Sequence, residues 1–71
     1  METLRDLRKQ SGKTLAEVAN VLNVGVHAVC NYENGRRCIN IHQVMPLAFI
    51  YNVTAEEIIE AQTASIVIGK T

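Results

Sequence analysis

Thr14-Leu-Ala-Glu-Val-Ala-Asn-Val-Leu-Asn-Val-Gly-Val-His-Ala-Val-Cys-Asn-Tyr-Glu-Asn-Gly-Arg-Arg37 is the most informative stretch of the 71-residue chain. Thr14 and Glu17 have the spacing of a capping box, in which the Thr oxygen accepts from the amide three residues on and the Glu carboxylate reaches back. Leu15, Val18, Ala19 and Leu22 then recur at i, i+3, i+4 and i+7, the stripe of a helix packed on one side. After a turn at Asn23-Val24-Gly25, a second helix over about 26–34 has Gly25 at its start and Gly35 past its end. Val24 and Val29 are placed to staple its entry. Ala19 is small enough to let the two helices approach closely. Val24, Val29 and Tyr32 are expected inside, leaving His27, Ala28, Asn31 and parts of Val26 and Cys30 outside.

The same signals divide the rest of the chain, giving an all-α, five-helix domain over 1–62 with helices at about 2–11, 15–22, 26–34, 41–51 and 55–61. Leu4 and Leu7 share one face of the first helix, and Gly12 stops it. Asn40 and Gln43 form a weaker capping box for the fourth, stapled by Ile39 and Val44, with Val44, Ala48 and Tyr51 on one face and Met45 and Phe49 beside them. Pro46 falls in its second turn, where it removes an amide and crowds the His42 carbonyl, so a kink or a later helix start is expected. Thr54-Ala55-Glu56-Glu57 opens the fifth helix, stapled by Val53 and Ile58. The tail over 63–71 contains Ser65-Ile66-Val67-Ile68-Gly69, β-branched and uncharged. It reads either as a short strand paired with its equivalent in a second copy or as a disordered terminus.

Composition narrows the function classes. Lys plus Arg and Asp plus Glu each number 7, for a formal net charge of zero. The balance is uneven along the chain: up to Gln43, Arg5, Arg8, Lys9, Lys13, Arg36 and Arg37 outnumber Glu2, Asp6, Glu17 and Glu33. Beyond it, Lys70 stands against Glu56, Glu57 and Glu60. The basic half is the one suited to nucleic acid. A 71-residue chain also excludes a multi-domain enzyme.

Cys30 and Cys38 have neither zinc-site spacing nor the density of a disulfide scaffold, and Cys30 reads as a small packed thiol. No metal, cofactor or small-molecule ligand is expected. Met1–Gln10 is too charged for a signal peptide, and the charge-free run Cys38–Ala55 is too polar for a membrane span, so a soluble, cytoplasmic protein is the expectation. Glu56, Glu57 and Glu60 fit the positive end of a helix dipole better than acid/base chemistry, and His27 and His42 lack partners for a triad. The expectation is a non-enzyme.

Two helices joined by a three- to four-residue turn form a helix-turn-helix unit, whose second helix can enter a major groove. From Leu4 to Ile59 the chain resembles the lambda-repressor and Cro-like (Cro/C1-type, or Xre) helix-turn-helix family. The resemblance rests on Thr14–Ala19, Leu22–Gly25, Val29–Arg37, Leu47-Ala48 and Tyr51–Ile59 in that order and spacing. It implies a cytoplasmic, DNA-binding transcriptional regulator, expected to be a repressor, that binds double-stranded DNA as a homodimer. By position it implies that Val26, His27 and Asn31 read base edges, that Ala28 and Cys30 flank them, and that the Asn34 side chain, the amides at Asn34 and Gly35, and Arg36 and Arg37 hold the DNA backbone.

The chemistry of these side chains agrees in part. Asn31 can pair bidentately with adenine, His27 can donate to guanine or phosphate, and Val26 can touch a thymine methyl. Leu15 stands where the family commonly has a Gln that touches the backbone; with Val26 and the zero net charge, it suits the alternative of a protein-interaction module, an antirepressor or adaptor of the same fold. Dimerisation is expected through the half after Asn40, where Phe49, Ile50, Tyr51 and the tail offer apolar surface.

Overall fold

A computed structural model describes residues 2–69. Five helices follow one another: α1 (Leu4–Gln10), α2 (Leu15–Leu22), α3 (Val26–Glu33), α4 (Ile41–Tyr51) and α5 (Ala55–Gly69). There is no strand among the described residues.

Local chemistry sets the boundaries. Both reciprocal hydrogen bonds of the capping box are made at Thr14/Glu17 and at Asn40/Gln43, and a further box at Thr3/Asp6 opens α1. At the start of α5 the Glu57 amide donates to Thr54 Oγ1 at 3.1 Å. Helices α2 and α4 end alike: Asn23 and Asn52 each adopt a left-handed conformation with φ of 57°. In each case the next amide reaches back to close a Schellman turn, Val24 to the Ala19 carbonyl and Val53 to the Ala48 carbonyl, both at 3.0 Å. Asparagine tolerates that region better than other residues with a Cβ.

The core gathers Leu4 and Leu7 from α1, Val18 and Ala19 from α2, Val29 and Tyr32 from α3, Leu47, Ala48 and Tyr51 from α4, and Ile58 and Ala61 from α5. Leu15, Leu22, Val24 and Val44 pack on its edge. Helix α4 starts at Ile41 and runs through Pro46, so no later start occurs. Its inward face includes the expected Ala48 and Tyr51, with Val44 at the core's edge. Gln43 joins Leu47, Ala48 and Tyr51 inside, whereas Met45 and Phe49 point to solvent.

The tail corrects the sequence reading. Residues 62–69 continue α5 as helix instead of forming a strand or a disordered end; Lys70 and Thr71 lie outside the described residues. The reason is burial at small positions. Ala64 and Ser65 are fully enclosed, and Ser65 Oγ donates to the Ala61 carbonyl at 2.9 Å while accepting from the Leu4 amide at 3.1 Å. Tertiary contacts of this kind override the β-propensity of Ile66-Val67-Ile68.

Candidate nucleic-acid interface

Helix α3 presents one ridge to solvent. Val29, Tyr32 and Glu33 are its buried residues. On a 3.6-residue repeat the opposite side falls at His27, Asn31 and Asn34, at i, i+4 and i+7. His27 and Asn34 are exposed and Asn31 is half-buried. Val26 is exposed at the helix start, and Ala28 and Cys30 are half-buried on the flanks. No carboxylate stands on this ridge, because the one acid of α3, Glu33, is turned inward.

Glu33 is what holds the ridge in place. Its carboxylate accepts from Arg8 in bidentate fashion, Nε to Oε2 at 2.7 Å and Nη2 to Oε1 at 3.2 Å, and Arg5 Nε approaches Oε1 at 3.5 Å. Arg8 Nη1 also donates to the Lys13 carbonyl at 3.2 Å. The hydrogen bonds to Glu33 raise the pKa of the Arg8 guanidinium further above its ordinary value. Helix α1, the α1–α2 turn and the end of α3 are thereby tied by one side chain. Arg8 is therefore a structural cation, half-buried against α3.

A second polar clamp holds the adjacent residue of α3, Tyr32. Gln43 Nε2 donates to the Tyr32 hydroxyl at 3.1 Å, and the Gln43 Oε1 accepts from the Asn40 amide at 2.9 Å, so the cap of α4 also fixes the inner face of α3. Tyr51, nearby in the core, has its hydroxyl pKa pushed up by burial, with the Glu33 charge adding to the effect and Arg8 opposing it.

Past α3, the turn Asn34–Arg37 departs from the expected phosphate cradle. Its four backbone amides are occupied: Asn34 donates to Cys30, Gly35 to Tyr32, and both Arg36 and Arg37 to the Asn31 carbonyl. Amides engaged in this way are not available to a phosphate, which leaves side chains as the donors. Asn34 Oδ1 accepts from Arg5 Nη2 at 3.5 Å. Arg36 and Arg37 are exposed, and the Arg37 guanidinium lies over the Tyr32 ring, 5.8 Å from its centroid.

Gly35 has a structural task of its own. Its φ is +76°, and a Cβ there would fall 2.6 Å from the Ser65 carbonyl oxygen and 2.8 Å from Ile66 Cα. The turn is thus seated directly on the backbone of α5. Neither this contact nor the Arg8–Glu33 pair has a local sequence signature, since the partners stand 30 and 25 residues apart.

A family model described as a helix-turn-helix domain matches residues 2–61. The chain belongs to the helix-turn-helix domain family. No curated protein and no solved structure matches the chain. Helix-turn-helix domains are a DNA-binding domain type, and α2, the turn at Asn23–Gly25 and α3 are the unit that places a second helix at the surface. Among the described residues there is no cluster of three His, Cys, Asp or Glu side chains able to hold a metal ion. None of the described helices is long and apolar enough to cross a membrane.

Proposed function

We propose that the protein is a sequence-specific, double-stranded-DNA-binding transcriptional regulator of the lambda-repressor and Cro-like (Xre) type, acting as a repressor in the cytoplasm and binding as a homodimer. The observation that carries this reading is the α3 ridge: polar, free of carboxylates, braced from beneath by Arg8–Glu33 and followed by two exposed arginines. A helix of this width fits a B-form major groove. In that pose Asn31 is the principal base reader, through its amide to adenine N6 and N7. His27 adds a donor for guanine, and Val26 an apolar contact to a thymine methyl. Asn34, Arg36 and Arg37 anchor the phosphates with their side chains; Gly35 shapes the turn that carries them.

The test is fluorescence anisotropy of labelled duplex DNA over a series of salt concentrations. Binding that weakens steeply with salt is expected for the wild type. Arg36→Ala plus Arg37→Ala is expected to flatten the log–log salt dependence by about two contacts' worth, with the fold intact. Asn31→Ala is expected to cost about 1–3 kcal/mol on a selected operator and to relax preference at one base pair. A folded wild type that ignores DNA at low salt would overturn the proposal and point to the protein-interaction alternative.

A further inference from the structure

Helix α4 carries three large apolar side chains on its outer face. Ile41, Met45 and Phe49 are 80%, 68% and 86% exposed. They stand at i, i+4 and i+8, one continuous ridge, and no Asp, Glu, Lys or Arg occurs from Cys38 to Ala55. Together they leave on the order of 400 Å² of apolar surface in one patch, within the size range that commonly marks a contact surface on a monomer.

We infer that this ridge is the self-association surface of the protein, with α4 of one copy crossing α4 of a second about a two-fold axis at Met45. The inference deepens the homodimer of the proposed function and rests on that reading for its two-fold symmetry. The spacing is self-complementary. Ile41 and Phe49 lie about 6 Å along the helix to either side of Met45, so a two-fold axis there sets Met45 against the partner's Met45 and Ile41 against the partner's Phe49. Ridges of i±4 side chains interdigitate at a crossing angle of roughly −50°. A side chain on a two-fold axis meets its own copy, so a formal charge there would meet its own sign; Met45 is uncharged, and α4 carries no Asp, Glu, Lys or Arg to be buried on either side of it.

Size and position fit a second copy as occupant. Two ridges with their flanking residues bury about 1,000 Å², the lower range of specific interfaces, which suits a reversible dimer of micromolar strength. Helix α3 packs on α1, α2 and α5, and its backbone does not approach that of α4. The His27–Asn31–Asn34 ridge therefore shares no residue with the α4 ridge.

Sedimentation velocity on the full chain without DNA, from about 1 µM to about 300 µM, tests this. The mass is expected to rise from 7.9 kDa toward twice that value. Met45→Glu is expected to stay monomeric throughout with an unchanged far-ultraviolet spectrum, and mixing it with Met45→Lys to restore the dimer. Disulfide trapping in a Cys30→Ala, Cys38→Ser background gives a reading independent of the charge variants. Met45→Cys should oxidise to a covalent dimer by itself, whereas Ile41→Cys should do so only when mixed with Phe49→Cys. A wild type monomeric across the range, a dimer indifferent to Met45→Glu, or a cross-linking pattern without this pairing would overturn the inference. Binding of the monomer to a single half-site, measured separately by anisotropy, tells a failed interface from a failed DNA reading.

Discussion

Replacing Arg8 with alanine isolates the interaction that fixes α3 to α1. The side chain of Glu33 is only 3% exposed and that of Arg8 13%, so the substitution leaves a buried carboxylate with Arg5 Nε, 3.5 Å away, as its remaining cation. Removing one partner of a buried pair typically costs about 3–5 kcal/mol, and the residual Arg5 contact places the expectation near the lower end. At roughly 0.05–0.15 kcal/mol per residue a chain of this length has about 4–10 kcal/mol in all, so Arg8→Ala should consume a large part of the stability. A fall in Tm of ten degrees or more is expected, on the scale of about 4–8 °C per kcal/mol for a small domain.

The pair also predicts an asymmetry and a rescue. Glu33→Ala should cost less than Arg8→Ala, because the freed guanidinium keeps the Lys13 carbonyl and can reach water along its stem. Arg8→Met with Glu33→Met should return to within about 1 kcal/mol of the wild type, since well-packed apolar pairs replace buried ion pairs with little loss. Urea unfolding followed by circular dichroism, taken as a double-mutant cycle at constant m value, measures each term. An Arg8→Ala cost under about 1 kcal/mol, or additivity of the two single changes, would refute the argument that this pair sets the position of α3.

Other expectations follow from single features. Gly35→Ala and Gly12→Ala both force a Cβ into left-handed backbone, φ +76° and +69°, but only Gly35 meets α5. Both should lose about 1–2 kcal/mol for the conformation, with about 1–3 kcal/mol more at Gly35 for the overlap; equal losses in thermal unfolding would contradict the contact. Tyr51 gives an alkaline limit. Its hydroxyl pKa is raised in the folded state, so its contribution is intact below the ordinary tyrosine pKa near 10 and is lost as pH rises above it; Tyr51→Phe should flatten a Tm-against-pH curve there. Asp6 and Glu17 act at the acid end. Hydrogen bonds from the Thr3 and Thr14 backbone and side chain lower their pKa values, so their stabilisation is present above the ordinary carboxylate range and is lost as pH falls through the folded values. Thr14→Ala should reduce the acid-side slope of the same curve, and an unchanged slope would remove the cap from the explanation.

What the sequence made legible was local. Thr14/Glu17, Asn40/Gln43 and the glycines and asparagines at helix ends signal boundaries within four residues of themselves, and the helices start and stop close to those marks. What it hid was non-local. The buried role of Glu33 depends on Arg8, the path of the tail depends on Leu4 and Gly35, and nothing in Ser65-Ile66-Val67-Ile68 announces that Ser65 will be enclosed. In α4 the burial of Gln43 was hidden for a related reason. The apolar residues of this helix run almost all the way round, so periodicity alone did not say that Gln43 would turn inward, and this polar side chain was chosen over Met45 and Phe49 because Tyr32 offered it a partner.

The non-local contacts also separate what holds the candidate interface from what uses it. The matched family region ends at residue 61, yet Ala64 and Ser65, beyond it, are among the most buried residues of the chain. Ser65 receives the first turn of α1 through the Leu4 amide and supports the Asn34–Arg37 turn through Gly35. The two arginines are thus mounted on a turn whose amides are all internally bonded and whose underside rests on backbone. A turn so constrained loses little further entropy when its side chains meet phosphate, which favours binding by side-chain charge alone. In the proposed DNA complex, changes to Arg36 should therefore alter affinity and leave unfolding unchanged, changes to Arg37 should add only the small loss of its contact with the Tyr32 ring, and changes at Gly35 or Ser65 should lower stability first and affinity through it.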